Sequence, residues 1–294
     1  MKRLIQALVA FTVLGLGIFW VVTIPSPPSL MVMPHHAINL ENGKLLFNAG
    51  GCISCHTSPE VADVPSGGKP LKTPIGTLYP PNLTPDPETG LGNWKLNAFV
   101  AAMQQGLHAD GSKLIPAFPY GSYRSMTLTD VADVFAYLQS LPAVKNQVPA
   151  HEVLVLPLVR RGLSFWKWIA LSQPVWKPVP SQSETWNRGA YLVNGPGHCQ
   201  ECHTPRNLFM ALDTTHAFMG GPHPEGKGKV PSLHGLVERA RYKNAGDLVS
   251  AFQNGEVLGY EHMSAGGMGE VQGNLSKLPE ADLKAIAEYL LSLK

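Results

Sequence analysis

Charge is scarce in this sequence. Lys, Arg, Asp and Glu make up 15% of its 294 residues, and 23 basic side chains against 21 acidic ones leave a net charge of +2. So small and scattered an excess gives no electrostatic footprint for nucleic acid, and no polyanionic partner is implied. Between Arg3 and Glu41 no charged residue occurs at all. Cysteine is rarer still, at four residues, and all four fall in two short stretches. Apolar side chains are plentiful at 44%, as are Gly (29) and Pro (26). The chain therefore has material for packed cores joined by long, turn-rich loops of the kind that wrap a cofactor. Its length suits about two domains.

The uncharged N-terminal region begins after Lys2 and Arg3 and runs from Leu4 to Ile24, interrupted by no polar residue except Gln6, Thr12 and Thr23. As a helix, such a run reaches about 30 Å, the thickness of a bilayer core. A cleaved signal peptide is the competing reading. Its apolar core is usually about 7–15 residues and ends in small side chains, which Trp20-Val21-Val22-Thr23-Ile24-Pro25 does not provide. Residues 1–25 are read as a transmembrane anchor with a cytoplasmic N-terminus, because Lys2 and Arg3 lie on its short side. Residues 26–37, which overlap "PSPPSLMVMPHH" (25–36), read as an extended Pro-rich tether.

Beyond the tether the chain repeats itself. "ENGKLLFNAGGCISCHT" from Glu41 resembles "TWNRGAYLVNGPGHCQECHT" from Thr185: a short helical pattern, a glycine break, then Cys-x-x-Cys-His-Thr. "DVADVFAYLQSL" from Asp130 matches "DLKAIAEYLLSL" from Asp282 at an offset of 152 residues. Val131, Val134, Phe135 and Leu138, like Leu283, Ile286, Ala287 and Leu290, recur at i, i+3, i+4, i+7 and predict an amphipathic helix closing each half. The expected organisation is a first domain over 38–148, a connector over 149–180 and a second domain over 181–294.

Cys-x-x-Cys-His is the spacing that attaches haem covalently. Two thioether bonds reach the porphyrin edge from one turn of chain, and the next residue turns its imidazole onto the iron. Cys52, Cys55, Cys199 and Cys202 are the predicted attachment points, and His56 and His203 the proximal ligands. Zinc is an alternative at this Cys spacing, but a His joined directly to a Cys cannot easily reach the same ion, and the two motifs are 147 residues apart. A thioredoxin-like pair would need alternating strands and helices, and disulfides would leave both adjacent His unexplained. Two covalently bound haem c groups are expected. Attachment of this kind takes place outside the bacterial cytoplasm, which agrees with the topology read from the N-terminus.

A six-coordinate iron needs a second axial ligand, and Met is the usual partner of His in small electron carriers. In the first half the choices are Met103, at helical spacing from Phe99 where Met is commonly core filler, and Met126, in a loop before the closing helix. In the second half Met268 sits in the glycine-rich "SAGGMGEV", with Met263 close enough to compete. Met126 and Met268 are favoured, lying 70 residues after His56 and 65 after His203.

The runs "TPIGTLYPPNLTPDPETGLGNW", "DGSKLIPAFPYGSYRSMTLTDVADVFAYLQSLPAV" and "NRGAYLVNGPGHCQECHTPRN" resemble the cytochrome c subunits of membrane-bound bacterial alcohol, gluconate and related dehydrogenases. The resemblance covers nearly everything from residue 38 to 294. It implies an all-α protein of two tandem class I cytochrome c domains, with Met126 and Met268 as axial ligands. The better-known relatives, to which direct quinone reduction is attributed, carry three such motifs and this chain has two, so the resemblance does not by itself assign that activity here.

Trp94, Tyr120, Tyr123 and Arg124 are candidates to contact haem propionates, since a buried carboxylate needs donors; packing aromatics and a solvated Arg124 is the plainer reading. His198 is adjacent to Cys199 and so points away from that iron. The segment 153–176 reads either as a helix lying on a membrane, with Trp166, Trp168 and Trp176 at headgroup level, or as a connector packed against both halves, as its likeness to the related subunits implies. With His and Met filling both axial sites, redox change without bond-making is the available chemistry. The expected function is a membrane-anchored dihaem relay, not itself an enzyme, in the bacterial inner membrane with its haem domains in the periplasm. It would run between a dehydrogenase or other respiratory donor and a soluble cytochrome or terminal oxidase. The alternative is a catalytic dihaem oxidoreductase of peroxidase or thiosulfate type, which requires an open or labile iron.

Overall fold

The computed structural model describes residues 1–25, 27–58, 60, 61, 63–172, 174–223, 228–239, 242–255 and 267–294. Helix α1 (Lys2–Val22) takes up the apolar run and buries none of its residues. Among the described residues it is the one helix long and apolar enough to cross a membrane. Its last turn is closed by Thr23, whose Oγ1 donates to the Phe19 carbonyl at 2.7 Å. The following tether is extended but not loose. Gln105 donates to the Ser29 carbonyl at 3.2 Å, Met31 and Met33 pack on the core, and His36 Nε2 lies 2.8 Å from the Asp133 carboxylate.

The first half is built on two crossing helices, α2 (Leu40–Ala49) and α6 (Leu128–Gln139), joined in sequence by α3 (Cys52–His56), α4 (Leu96–Val100) with a wider π turn over Ala101–Gln105, and α5 (Tyr120–Tyr123). Asn39 and Thr127 cap α2 and α6 by accepting from the amides of Asn42 and Asp130, which satisfies amides that the helix itself leaves unpaired. Of the stripe its periodicity predicts, helix α6 buries Val131, Val134 and Leu138 and leaves Phe135 half-buried; each of the three contributes roughly 1.5–3 kcal/mol on leaving water. The helices approach closely because Gly43 faces the Asp133 backbone, where a Cβ would overlap the carbonyl.

The second half repeats this plan. Helix α8 (Glu184–Asn194), capped by Ser183, crosses α13 (Glu280–Leu291), and Gly189 gives the close approach against the Ala285 carbonyl. Between them lie α9 (Gln200–His203), α10 (Leu236–Arg239), α11 (Ala245–Asn254), which packs on α13 as α4 packs on α6, and α12 (Gly267–Leu275).

The chain is mostly helical, but an all-α description omits two small antiparallel sheets. Strands β1 (Leu71–Thr73) and β2 (Gly76–Leu78) form a hairpin, and β3 (Glu152–Val153) adds to β2 with Val153 opposite Gly76. Strands β4 (Gly221–Pro222) and β5 (Lys229–Val230) pair in the second half. Residues 152 and 153, expected from sequence to be connector, are thus the third strand of the first half's sheet. Helix α7 (Leu156–Ala170) follows. Its Lys167 donates to the Gln105 carbonyl and its Trp166 to the Phe209 carbonyl, so it packs on both halves. The halves also meet directly: one apolar core runs through both, Lys69 pairs with Glu270 at 2.8 Å, and Asn274 donates to Ser54 Oγ at 2.8 Å.

Candidate functional site

Each Cys-x-x-Cys-His motif forms a single helical turn directly after a glycine break. In the first, α2 ends at Gly50, and Gly51 adopts φ +54°, a left-handed conformation that costs glycine little. In the second, α8 ends at Gly195, and His198 takes the left-handed position at φ +38°. One turn sets Cys52 beside Cys55, and Cys199 beside Cys202, as two bonds to one porphyrin edge require. None of the four is in a disulfide. The Cys52 and Cys199 thiols are pushed up to about 12, first by burial and then by the neighbouring Cys of the same turn. Thiol-disulfide catalysts need the opposite shift. Among the described residues no three His, Cys, Asp or Glu side chains gather to hold a metal ion.

The two histidines sit in the same backbone frame. His56 and His203 are buried, and Nδ1 of each lies 2.8 Å from a proline carbonyl, Pro81 and Pro231 respectively. A carbonyl can only accept, so the proton is on Nδ1 and the Nε2 lone pair is left for a ligand bond. Neither Nε2 has a hydrogen-bond partner among the described residues. The carbonyls of the same histidines accept from the amides of Gly67, at 2.6 Å, and Gly220, at 2.7 Å. Both glycines have positive φ, +80° and +74°, and each rests on the backbone of the proline that holds its histidine, where a Cβ would not fit. A third bond completes the frame: Leu83 donates to Pro65 and Leu233 to Phe218, both at 2.8 Å. Burial, opposed by the proline carbonyl, lowers His56 to about 4, and the same causes lower His203, so both imidazoles are neutral and able to coordinate. The donor set fits haem c: paired thiols on one turn and an oriented neutral imidazole beside them.

The proposed sixth ligands are placed less alike. Met126 is 5% exposed in the bend before α6, its amide bonded to Tyr123 at 3.0 Å and its carbonyl to Gln104 at 2.7 Å. Met103 is buried too, in the π turn, as core filler would be. Met268, expected in a loop, instead lies in the first turn of α12 and is half-buried; Met263 lies outside the described residues. Trp94 packs edge-on against His108. Tyr120 is fully buried with no partner for its hydroxyl. Arg124 is not simply solvated: it donates to the Leu171 carbonyl at 3.0 Å.

His198, a non-ligand by its place in the sequence, joins the two motifs. Its Nε2 donates to the Gly50 carbonyl at 3.1 Å, and its ring meets Tyr123 edge-on at 5.8 Å. Burial first, then the thiols of Cys52 and Cys55, holds the Tyr123 phenol well above its ordinary value. Glu201, inside the second motif, accepts from Ser122 at 3.2 Å and from Arg206 at 2.7 Å.

A cytochrome c family model matches residues 40–142. The chain is 39% identical over 254 residues to a diheme cytochrome c-type protein of Cereibacter sphaeroides, covering 84% of this chain and 83% of the relative. The chain belongs to the c-type cytochromes. This cytochrome is also 39% identical over 260 residues to a nicotinate dehydrogenase subunit of Pseudomonas putida, covering 88% of this chain but 22% of that protein. It is 32% identical over 283 residues to the fructose dehydrogenase cytochrome subunit of Gluconobacter japonicus, of which it spans 55%. As a c-type cytochrome it binds haem c covalently.

Proposed function

We propose that this cytochrome carries two haem c groups, one on Cys52, Cys55 and His56 and one on Cys199, Cys202 and His203, with Met126 and Met268 as sixth ligands. The two tandem class I domains would span 38–148, with strand β3 (Glu152–Val153) added to the first, and 181–294, joined by the segment that carries α7. Its function is electron transfer. The observation that carries the two-haem reading is the duplicated frame of proline carbonyl, positive-φ glycine and leucine amide around His56 and His203.

Bound haem supplies a one-electron ferric/ferrous couple. The chain's own groups do the rest. Pro81 and Pro231 hold the proton at Nδ1 and aim Nε2. The apolar core around Met126 excludes water from the first site and favours the thioether, a ligand that raises the potential. Between the motifs, Gly50, His198 and Tyr123 form a continuous contact across which the two groups would exchange electrons.

The relatives' names motivate the partners: a dehydrogenase as donor, and a soluble cytochrome or terminal oxidase as acceptor. Helix α1 would anchor the protein in the bacterial inner membrane, N-terminus cytoplasmic and both haem domains periplasmic. A catalytic dihaem enzyme would need an open iron, and the burial of Met126 argues against one in the first half. Titrating the reduced protein with carbon monoxide tests the relay. No rapid binding is expected; rapid binding by either haem would overturn it.

A further inference from the structure

Helix α7 carries apolar side chains where a connector needs none. Leu158, Phe165, Trp168 and Ile169 lie on one outward stripe at i, i+7, i+10 and i+11, and Trp168 is 80% exposed. Beside them are Leu208 and Phe209 of the loop that accepts the Trp166 indole hydrogen bond, both exposed. A run of this size left to water disfavours a soluble surface.

Its position says what covers it. Phe165 stacks on Phe19 with ring centroids 5.9 Å apart. Arg161 lies 3.6 Å over the Trp20 ring and donates to the Trp20 carbonyl at 2.9 Å. Phe19 and Trp20 belong to the last turns of α1, and when α1 spans a bilayer those residues stand at the headgroup boundary, where Trp is favoured. Whatever stacks on them stands at the same depth. The tether does not swing the body away, because Ser29, Met31, Met33 and His36 hold it against the first half. Cations cluster here as well. Arg161 is close enough to Lys113, and Lys113 and Arg124 to Lys167, to help burial lower those lysines. None of these four pairs with a carboxylate within 4.0 Å among the described residues.

We propose that α7 and the Leu208–Phe209 loop form a second membrane contact, lying in the headgroup layer of an anionic bilayer beside the exit of α1, so that the haem-bearing body rests on the membrane in one orientation. The inference rests on the reading of α1 as a spanning anchor. Apolar side chains enter the acyl boundary while Arg161, beside them on α7, stands at the level of the lipid phosphates; Lys167 turns inward onto the Gln105 carbonyl.

The test uses the full-length, haem-loaded protein in vesicles of phosphatidylglycerol and phosphatidylethanolamine. Its four native cysteines are expected to be thioethers, so a single introduced cysteine is the reactive one. Trp168→Cys, Ala10→Cys within α1, and Lys277→Cys on an exposed turn are each treated with a membrane-impermeant maleimide and followed by mass on outward-facing molecules. Trp168→Cys should react several-fold more slowly than Lys277→Cys, and its protection should be unchanged when protein is diluted in lipid. Equal rates at the two positions, or protection lost on dilution as a second protein copy would give, overturns the proposal. If Ala10→Cys reacts freely, the anchor reading itself has failed; if Ala10→Cys is protected while Trp168→Cys is not, the docked helix alone is wrong.

Discussion

The two halves agree closely around His56 and His203 and diverge at the methionines proposed as sixth ligands. Around His56 and His203 the same three hydrogen bonds, one from the imidazole and two between backbone groups, recur within about 0.1 Å, although the loops that carry them differ in length and sequence. Of the methionines proposed as sixth ligands, Met126 is tied into a bend within the core, whereas Met268 opens helix α12, which leans on the first half through Asn274 and Glu270. Orienting an imidazole needs one fixed acceptor, and a backbone carbonyl serves whatever side chains surround it. A thioether makes no hydrogen bond worth copying, so its placement follows the local packing.

The cysteines should separate the two halves most clearly. Replacing Cys52 and Cys55 together by Ala should lower the haem content from two per chain to one, and Cys199→Ala with Cys202→Ala should do the same, read as pyridine haemochrome per polypeptide. Next come the sixth ligands. Met126→Leu should lower the potential of one haem by on the order of 0.1 V, within the span that axial ligands control, and should admit carbon monoxide there; Met268→Leu should do so at the other haem, both measured by redox titration. An unchanged spectrum in either variant would hand the ligand role to Met103 or Met263. A smaller effect is expected at the glycines. Gly67→Ala and Gly220→Ala force an L-residue to positive φ, costing about 1–3 kcal/mol from strain alone, with a further loss from overlap on the proline backbone; denaturant unfolding should register both, and similarly. Smallest are the caps. Thr127→Ala and Ser183→Ala should each cost about 1 kcal/mol by removing the acceptor at a helix start, visible as a shifted denaturant midpoint with an unchanged slope.

Much of this architecture is legible in the residues. Four cysteines and two histidines at haem spacing mark the proposed sites, and the stripe from Val131 to Leu138 marks the closing helix of the first half, because side-chain identity and period carry that information. The Pro81 and Pro231 carbonyls are invisible in the sequence because any residue has a carbonyl; the faint signal is a Pro-x-Leu at Pro81-Asn82-Leu83 and again at Pro231-Ser232-Leu233. The sheets escape notice because strands of two or three residues show no alternation. The glycines around Met268 suggest a loop, each being unfavourable to a helix by about 1 kcal/mol; the helix forms where α12 packs on α11 and α2, buries Leu275 and meets Ser54 and Lys69. Adjacency to Cys199 disqualifies His198 as a ligand without revealing that it bridges the motifs.

If one backbone frame, built twice, presents two histidines to two covalently held haems, the haem content of the polypeptide must show it. Haem quantified per chain after acid-acetone extraction is the most direct test. Two haems per chain, both retained by the protein, are expected; one haem, or porphyrin that leaves with the solvent, would contradict the duplicated site.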